Sequence, residues 1–269
     1  MTDPLSDPLA DTLTPDNAAK LAAARAAVSE VRDGMRLGLG TGSTAAWMVR
    51  CLGQMVREEG LHVLAVPTSQ QTESLARAEG ISVVTLDEAK WLDLTIDGAD
   101  EVDGHFNLIK GGGGALLQEK IVATASDRMI VIADASKQVA WLGTFPLPVE
   151  VIPFGWRSTK GLVEESLESL DVQGVRSRLR MEEETPFVTD HGNYILDLEL
   201  QRIGNARQLS FVLNQIPGVV ENGLFLDICD EVIIGHADGH VLRRNILGDA
   251  ANKGEGDTTE SGNIFADLG

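Results

Sequence analysis

Short runs of consecutive apolar residues, rather than alternating ones, punctuate the first half of the chain at residues 35–39, 61–66, 81–86, 92–96 and 129–133. Strands written this way are buried on both faces, as in a parallel sheet covered by helices. Helix-length segments lie between them at residues 43–58, 70–79 and 115–126, each opened by small or polar residues. Another helix is expected to open at Thr14-Pro15, an N-cap followed by a first-turn proline, and to run to Val31 before Gly34 ends it. The alternation predicts βαβ units and an α/β fold, with a Rossmann-like parallel sheet flanked by helices.

From about residue 148 the rhythm changes. A helix is predicted over 160–170, strand-like runs over 174–180 and 194–200, a helix over 205–215, and strands over 224–228 and 231–234. Asp190-His191-Gly192 reads as a hairpin turn and Pro217-Gly218 as another. This pattern predicts a smaller α+β domain carrying a mainly antiparallel sheet. Four regions are expected: a disordered acidic N-terminus at 1–13; an α/β catalytic domain at 14–147 with C-terminal strands from about 219–244; a smaller lid or oligomerisation domain at 148–218; and a disordered acidic tail at 245–269.

Composition narrows the function. With 43% hydrophobic and 23% charged residues the chain has the make-up of a soluble globular protein. Its apolar stretches fall far short of the roughly 20 residues a membrane helix needs, so no membrane partner is expected. Residues 1–16 are acidic and lack the basic leader and apolar centre of a secretory signal, which predicts a cytoplasmic address. Cys51 and Cys229 form no disulfide framework, and the five histidines lack metal-ligand spacing, so neither a metal nor a disulfide is expected. A net charge of −19 argues against nucleic acid as a partner. It also draws attention to the few cations placed where an anionic substrate could meet them: Lys20, Lys110 and Lys137.

In open α/β sheets ligands bind beyond the carboxyl ends of the strands. That rule gathers residues 40–44, 67–72, 97–100 and 134–137 along one edge. Gly40-Thr41-Gly42-Ser43-Thr44 joins a strand to a helix, where backbone amides, hydroxyls and the helix dipole can hold a phosphate. A glycine-rich turn can be only a turn, but the paired hydroxyls of Ser43 and Thr44 favour an anion. The third glycine of a dinucleotide fingerprint, the acidic residue ending its second strand and the lysine of a nucleoside-triphosphate loop are all missing, so no nucleotide cofactor is expected.

Asp97-Gly98-Ala99-Asp100-Glu101 clusters carboxylates at the end of a buried strand, where desolvation and mutual repulsion raise pKa values. A solvated acidic loop or a hard cation would also explain them, but Lys110 stands ready to balance their charge. Lys110 leads into Gly111-Gly112-Gly113-Gly114, whose bare amides could receive a developing oxyanion. Glu119 projects from an apolar helical stripe with Ala115, Leu116, Val122 and Ala123, a placement suited to a general base near neutral pH.

Together these motifs, with Glu119-Lys120, Ile132-Ala-Asp-Ala-Ser-Lys137, Phe145-Pro-Leu-Pro-Val-Glu-Val151 and Ile216-Pro-Gly-Val-Val220, resemble ribose-5-phosphate isomerases of type A over about residues 14–241. The resemblance implies an aldose–ketose isomerase of the non-oxidative pentose phosphate pathway that works through a cis-enediolate without a cofactor. It implies Glu119 as base, with Asp97, Asp100 and Lys110 as further catalytic residues. Thr41 to Thr44, Asp97 to Asp100, Lys110 to Gly113 and Lys137 correspond to substrate-binding positions, and Lys20 to a lysine near the phosphate. A pentose 5-phosphate is the implied partner, and a homodimer or dimer of dimers the implied assembly. Two other readings of such a core are a non-catalytic sugar-phosphate sensor, which would carry a DNA-binding element, and an acyl-CoA transferase, which would form a covalent glutamyl adduct. Gly114 departs from the family pattern, standing where some members have Ala.

Overall fold

Thr14 caps the first helix by accepting a hydrogen bond from the Asn17 amide at 3.3 Å, and Pro15 sits in the first turn of α1 (Pro15–Val28). The computed structural model describes residues 13–246. The helix stops three residues before the predicted Val31. Leu13, expected in the disordered N-terminus, packs against the core. Apart from Leu13, Asn245 and Ile246, the two termini predicted to be disordered lie outside the described residues.

The chain then alternates as the apolar runs predict: β1 (Arg36–Leu39), α2 (Ser43–Glu59), β2 (Leu64–Pro67), α3 (Gln70–Ala78), β3 (Ser82–Val83), α4 (Leu86–Ala89) and β4 (Leu94–Gly98). β3 is shorter than the apolar run at 81–86 because Thr85 and Glu88 form a reciprocal capping box that starts α4 at Leu86. A hairpin of β5 (Glu101–Val102) and β6 (Leu108–Ile109) follows, then α5 (Leu116–Thr124) and β7 (Met129–Asp134).

The second half contains β8 (Leu147–Val151), α6 (Trp156–Leu167), β9 (Arg176–Leu179), β10 (Met181–Glu182), β11 (Thr185–Pro186), β12 (Tyr194–Glu199) and α7 (Ala206–Leu213). It closes with β13 (Val219–Asn222), β14 (Leu224–Phe225), β15 (Glu231–Gly235) and β16 (Val241–Asn245). Asn245, assigned from the sequence to the tail, is the last residue of β16 and lies opposite Glu231.

The main sheet runs β16-β15-β7-β4-β1-β2-β3; all its pairs are parallel except β15 with β16. Every residue of β4, β7 and β15 is buried, as expected for strands covered by helices on both faces. A second sheet, β13-β8-β12-β9, is wholly antiparallel, and a small third sheet is ordered β14-β6-β5. Strands 147–151 and 219–222, one overlapping the expected boundary and the other assigned to the α/β unit, instead pair with each other in the antiparallel sheet. Their apolar side chains, among them Val149, Val151 and Val219, pack on α6 and α7.

The sheets are tied together by Glu101. Its buried carboxylate accepts the amides of Gly143 at 2.7 Å and Phe145 at 2.6 Å, pinning the segment that enters β8. The end of β1 is shaped around a second carboxylate: a Cβ on Gly40 would lie 1.9 Å from Oδ1 of Asp97. Gly40→Ala is therefore expected to displace that carboxylate and destabilise the fold by about 1–3 kcal/mol. Urea unfolding measures the loss, and activity should fall with it.

Candidate active site

Asp97 is the penultimate residue of β4 and is wholly buried. Its Oδ1 accepts the amides of Gly98 at 2.7 Å and Thr41 at 3.1 Å, so one oxygen organises the turn after β1. Its Oδ2 faces the Lys110 ammonium at 2.9 Å. Lys110 follows β6 and is only 2% exposed; its backbone amide donates to Gly223 O at 2.9 Å, which fixes the side chain's point of departure. Its Nζ donates to Gly98 O at 2.6 Å and lies 3.2 Å from Oε1 of Glu119. Glu119 comes from the first turn of α5 and is 3% exposed.

Two carboxylates thus share one ammonium in a setting almost withdrawn from solvent. Burial raises the Glu119 pKa to about 8; the Lys110 charge works against this and the Asp97 charge adds to it. Burial likewise raises Asp97, opposed chiefly by Lys110. For Lys110 burial acts downward, but Asp97 and then Glu119 outweigh it and hold the ammonium above its ordinary range. Glu119 Oε2 is buried and has no hydrogen-bond partner among the described residues. A raised carboxylate with an unused oxygen is equipped to take a proton.

In front of this cluster opens a small polar cleft, lined by Thr41, Gly42, Ser43, Thr44, Gly98, Ala99, Asp100, Lys110, Gly111, Gly112, Gly113, Glu119 and Lys137. Every sequence-predicted site residue is on that wall except two. Asp97 stands behind Lys110, in contact with it rather than with the cleft. Lys20, on α1, is not among the lining residues and pairs with Asp16 at 2.7 Å.

Thr41 also differs from expectation. Its hydroxyl is taken up by Thr68 at 2.7 Å, Ser69 at 2.8 Å and Thr72 at 3.1 Å, so only the rest of the residue faces the cleft. Ser43 and Thr44 open α2, whose N-cap Gly42 supplies no side-chain hydrogen bond to the first-turn amides. An anion there would meet those amides, the positive end of the helix dipole and Lys137. Lys137 is presented by a short 3-10 turn capped by Asp134, which accepts the Ser136 amide at 2.9 Å. Opposite, Asp100 accepts the Gly112 amide at 2.7 Å.

Residues 64–239 match the sequence profile of a family described as ribose 5-phosphate isomerase A (phosphoriboisomerase A). Ribose-5-phosphate isomerase A of Cereibacter sphaeroides is 68% identical over 257 residues, covering 96% of this chain and 98% of that one. The chain belongs to the ribose 5-phosphate isomerase A family. Among solved members, the Methanocaldococcus jannaschii enzyme is 42% identical with a TM-score of 0.78, over 86% of this chain and all of the other (100%). A D-ribose-5-phosphate isomerase solved in complex with phospho-erythronic acid is 38% identical with a TM-score of 0.79, covering 87% of this chain and 100% of that one.

The sensor and acyl-CoA transferase readings gain no support, since these relatives carry the isomerase name. The profile match spans Asp97, Lys110, Glu119 and Lys137 but begins after residues 41–44, which fall in the part of the fold the family shares at the level of whole chains. Among the described residues no helix is long and apolar enough to cross a membrane.

The carboxylates imply a pH-dependent stability. With folded pKa values above the unfolded ones, Asp97 and Glu119 bind more protons in the native state, so their contribution is present in full below the ordinary carboxylate range. For Glu119 it is lost as pH rises from about 4.5 through about 8. Glu119→Gln removes one of these charges. Its melting temperature relative to the parent is expected to rise progressively between pH 5 and pH 8, as read by thermal melts across that window.

Proposed function

We propose that this chain interconverts ribose 5-phosphate and ribulose 5-phosphate in the cleft, with Glu119 moving the proton. The observation that carries this assignment is the buried, unpartnered Oε2 of Glu119 beside Lys110. Family membership supplies the reaction, and the geometry supports the roles.

The phosphate is held at the start of α2 by Ser43, Thr44 and the amides of residues 42–44, with Lys137 as counter-charge. Asp100, the acidic residue on the wall besides Glu119, assists opening of the furanose ring, and Asp97 acts through Lys110. Glu119 then takes the C2 proton. The C2–H electron pair forms the C1–C2 double bond, and the former carbonyl pair moves onto O1, giving a cis-enediolate. Lys110 and the glycine-loop amides stabilise that oxygen charge. A proton shifts between the two oxygens, Glu119 returns its proton to C1, and the ketose results.

Phospho-erythronic acid carries a carboxylate whose paired oxygens resemble those of the enediolate, and it is expected to bind this chain as an inhibitor. The same reading places the reaction in the non-oxidative pentose phosphate pathway of the cytoplasm, supported by two cysteines that are both free and buried. It also gives the chain a homodimer or dimer of dimers, supported by the exposed Phe154, Leu162 and Phe211 around α6 and α7. Sedimentation equilibrium should return two or four chains.

Glu119→Gln is expected to lower kcat by about 10²–10⁴-fold while substrate binding stays measurable. Turnover near that of the parent would remove Glu119 from the mechanism. For the parent, kcat/KM should rise with pH and level off above about 8, because the deprotonated carboxylate is the active form. In deuterium oxide the parent should introduce solvent deuterium into the pentose, and Glu119→Gln should slow that exchange in step with kcat.

A further inference from the structure

The glycine loop has no side chains to restrain it, yet its donors must be aimed. The candidate restraint comes from the antiparallel sheet. Arg180, just after β9, holds Asp197 of β12 through its Nε at 2.9 Å and its Nη2 at 2.5 Å. Its Nη1 donates to two successive loop carbonyls, Gly111 O at 2.9 Å and Gly112 O at 3.0 Å. The guanidinium carbon lies 5.8 Å from the centre of the Phe187 ring. Phe187 in turn sits directly on the loop: Gly114 has φ +81°, and a Cβ there would be 2.4 Å from Cζ of that ring.

We propose that Arg180 is a positioning residue for the isomerisation, clamping the Gly111 and Gly112 carbonyls so that, of the amides on the far side of the same peptide units, that of Gly112 stays on Asp100 and that of Gly113 is aimed at the cleft. In a trans peptide the N–H points opposite to the C=O of its own unit. The unit carrying Gly111 O also carries the Gly112 amide, which donates to Asp100 Oδ2 at 2.7 Å. The unit carrying Gly112 O carries the Gly113 amide, which has no partner among the described residues and lies on the cleft wall. The arginine charge on the carbonyl side also polarises both units and strengthens the donors opposite.

Asp197 and Phe187 hold the guanidinium in place, so the antiparallel sheet acts on the chemistry without touching substrate. Gly114, with a positive φ and no room for a Cβ, is then the seat of the Phe187 ring. The proposal rests on the isomerisation proposed for this cleft, with Glu119 as base and the loop amides holding the enediolate.

The test measures kcat, KM, melting temperature and inhibition by phospho-erythronic acid and by inorganic phosphate for the parent, Arg180→Gln, Arg180→Lys, Arg180→Ala and Asp197→Asn. Arg180→Gln is expected to lower kcat about 10- to 100-fold with KM within about threefold. Inhibition by phospho-erythronic acid should weaken by a similar factor, and inhibition by inorganic phosphate should not change. Arg180→Lys should recover only part of the rate, since a point charge cannot bridge two carbonyls in a fixed fork. Added guanidinium ion should raise the rate of Arg180→Ala.

Turnover of Arg180→Gln within about twofold of the parent would overturn the clamp. So would a weakened response to inorganic phosphate, or a rate loss that tracks melting temperature and is not recovered by guanidinium. Should Arg180→Gln not fold, Asp197→Asn keeps the test open, with a loss of about 3- to 10-fold expected in kcat and none overturning the proposal. An inactive Glu119→Gln beside fully active Arg180 variants sinks the clamp alone, whereas an active Glu119→Gln sinks the reading beneath it.

Discussion

A single ammonium group, that of Lys110, keeps two buried carboxylates together, and the site is arranged around the resulting imbalance of charge. Burying one ion pair is already costly; burying two negative groups against one positive group leaves a surplus that no solvent relieves. The surplus is expressed as proton affinity on Glu119 and Asp97, both shifted upward by burial. Three separate elements must meet for this to happen: the end of β4, the end of β6 and the first turn of α5. The third small sheet serves that convergence by fixing the Lys110 backbone against Gly223.

Much of this was legible in the sequence because the chemistry lies in contiguous motifs at strand ends. Fully apolar runs mark a two-face-buried sheet, and the rule for ligand sites in such sheets then brings residues 40–44, 97–100 and 134–137 to one edge without further information. Lys110 and Glu119 flank the glycines, so both were visible as partners of one loop. What remained hidden depends on contacts across long stretches of chain. The pairing of β8 with β13 joins segments some seventy residues apart, and neither carries a turn signal that announces the other.

Side-chain partners were less legible still. The Thr41 hydroxyl looked available for a ligand, but Thr68, Ser69 and Thr72 arrive from the next loop and consume it. Asp97 looked like a wall residue, yet the close approach permitted by Gly40 draws it behind Lys110. Arg180 was missed entirely, since nothing local distinguishes it from the neighbouring Arg176 and Arg178. Asp197, one strand over, lies opposite Arg178 in the register and diagonal to Arg180, and only its side-chain contact gives Arg180 a fixed direction.

The two flanks of the main sheet carry a separate consequence. A sheet seven strands wide ends in two open rows of backbone donors and acceptors, which invite another chain to add on. On one side the last strand, β3, is two residues long and gives way at once to α4. On the other, β16 turns antiparallel and carries Arg243, tied to Glu30 at 2.7 Å and to the Ala26 carbonyl at 2.6 Å. A stray strand would find too little ladder at the first border, and at the second it would run alongside charge already committed to the molecule. Among the described residues the sheet that carries the sugar site thereby offers little border on which a second chain could build.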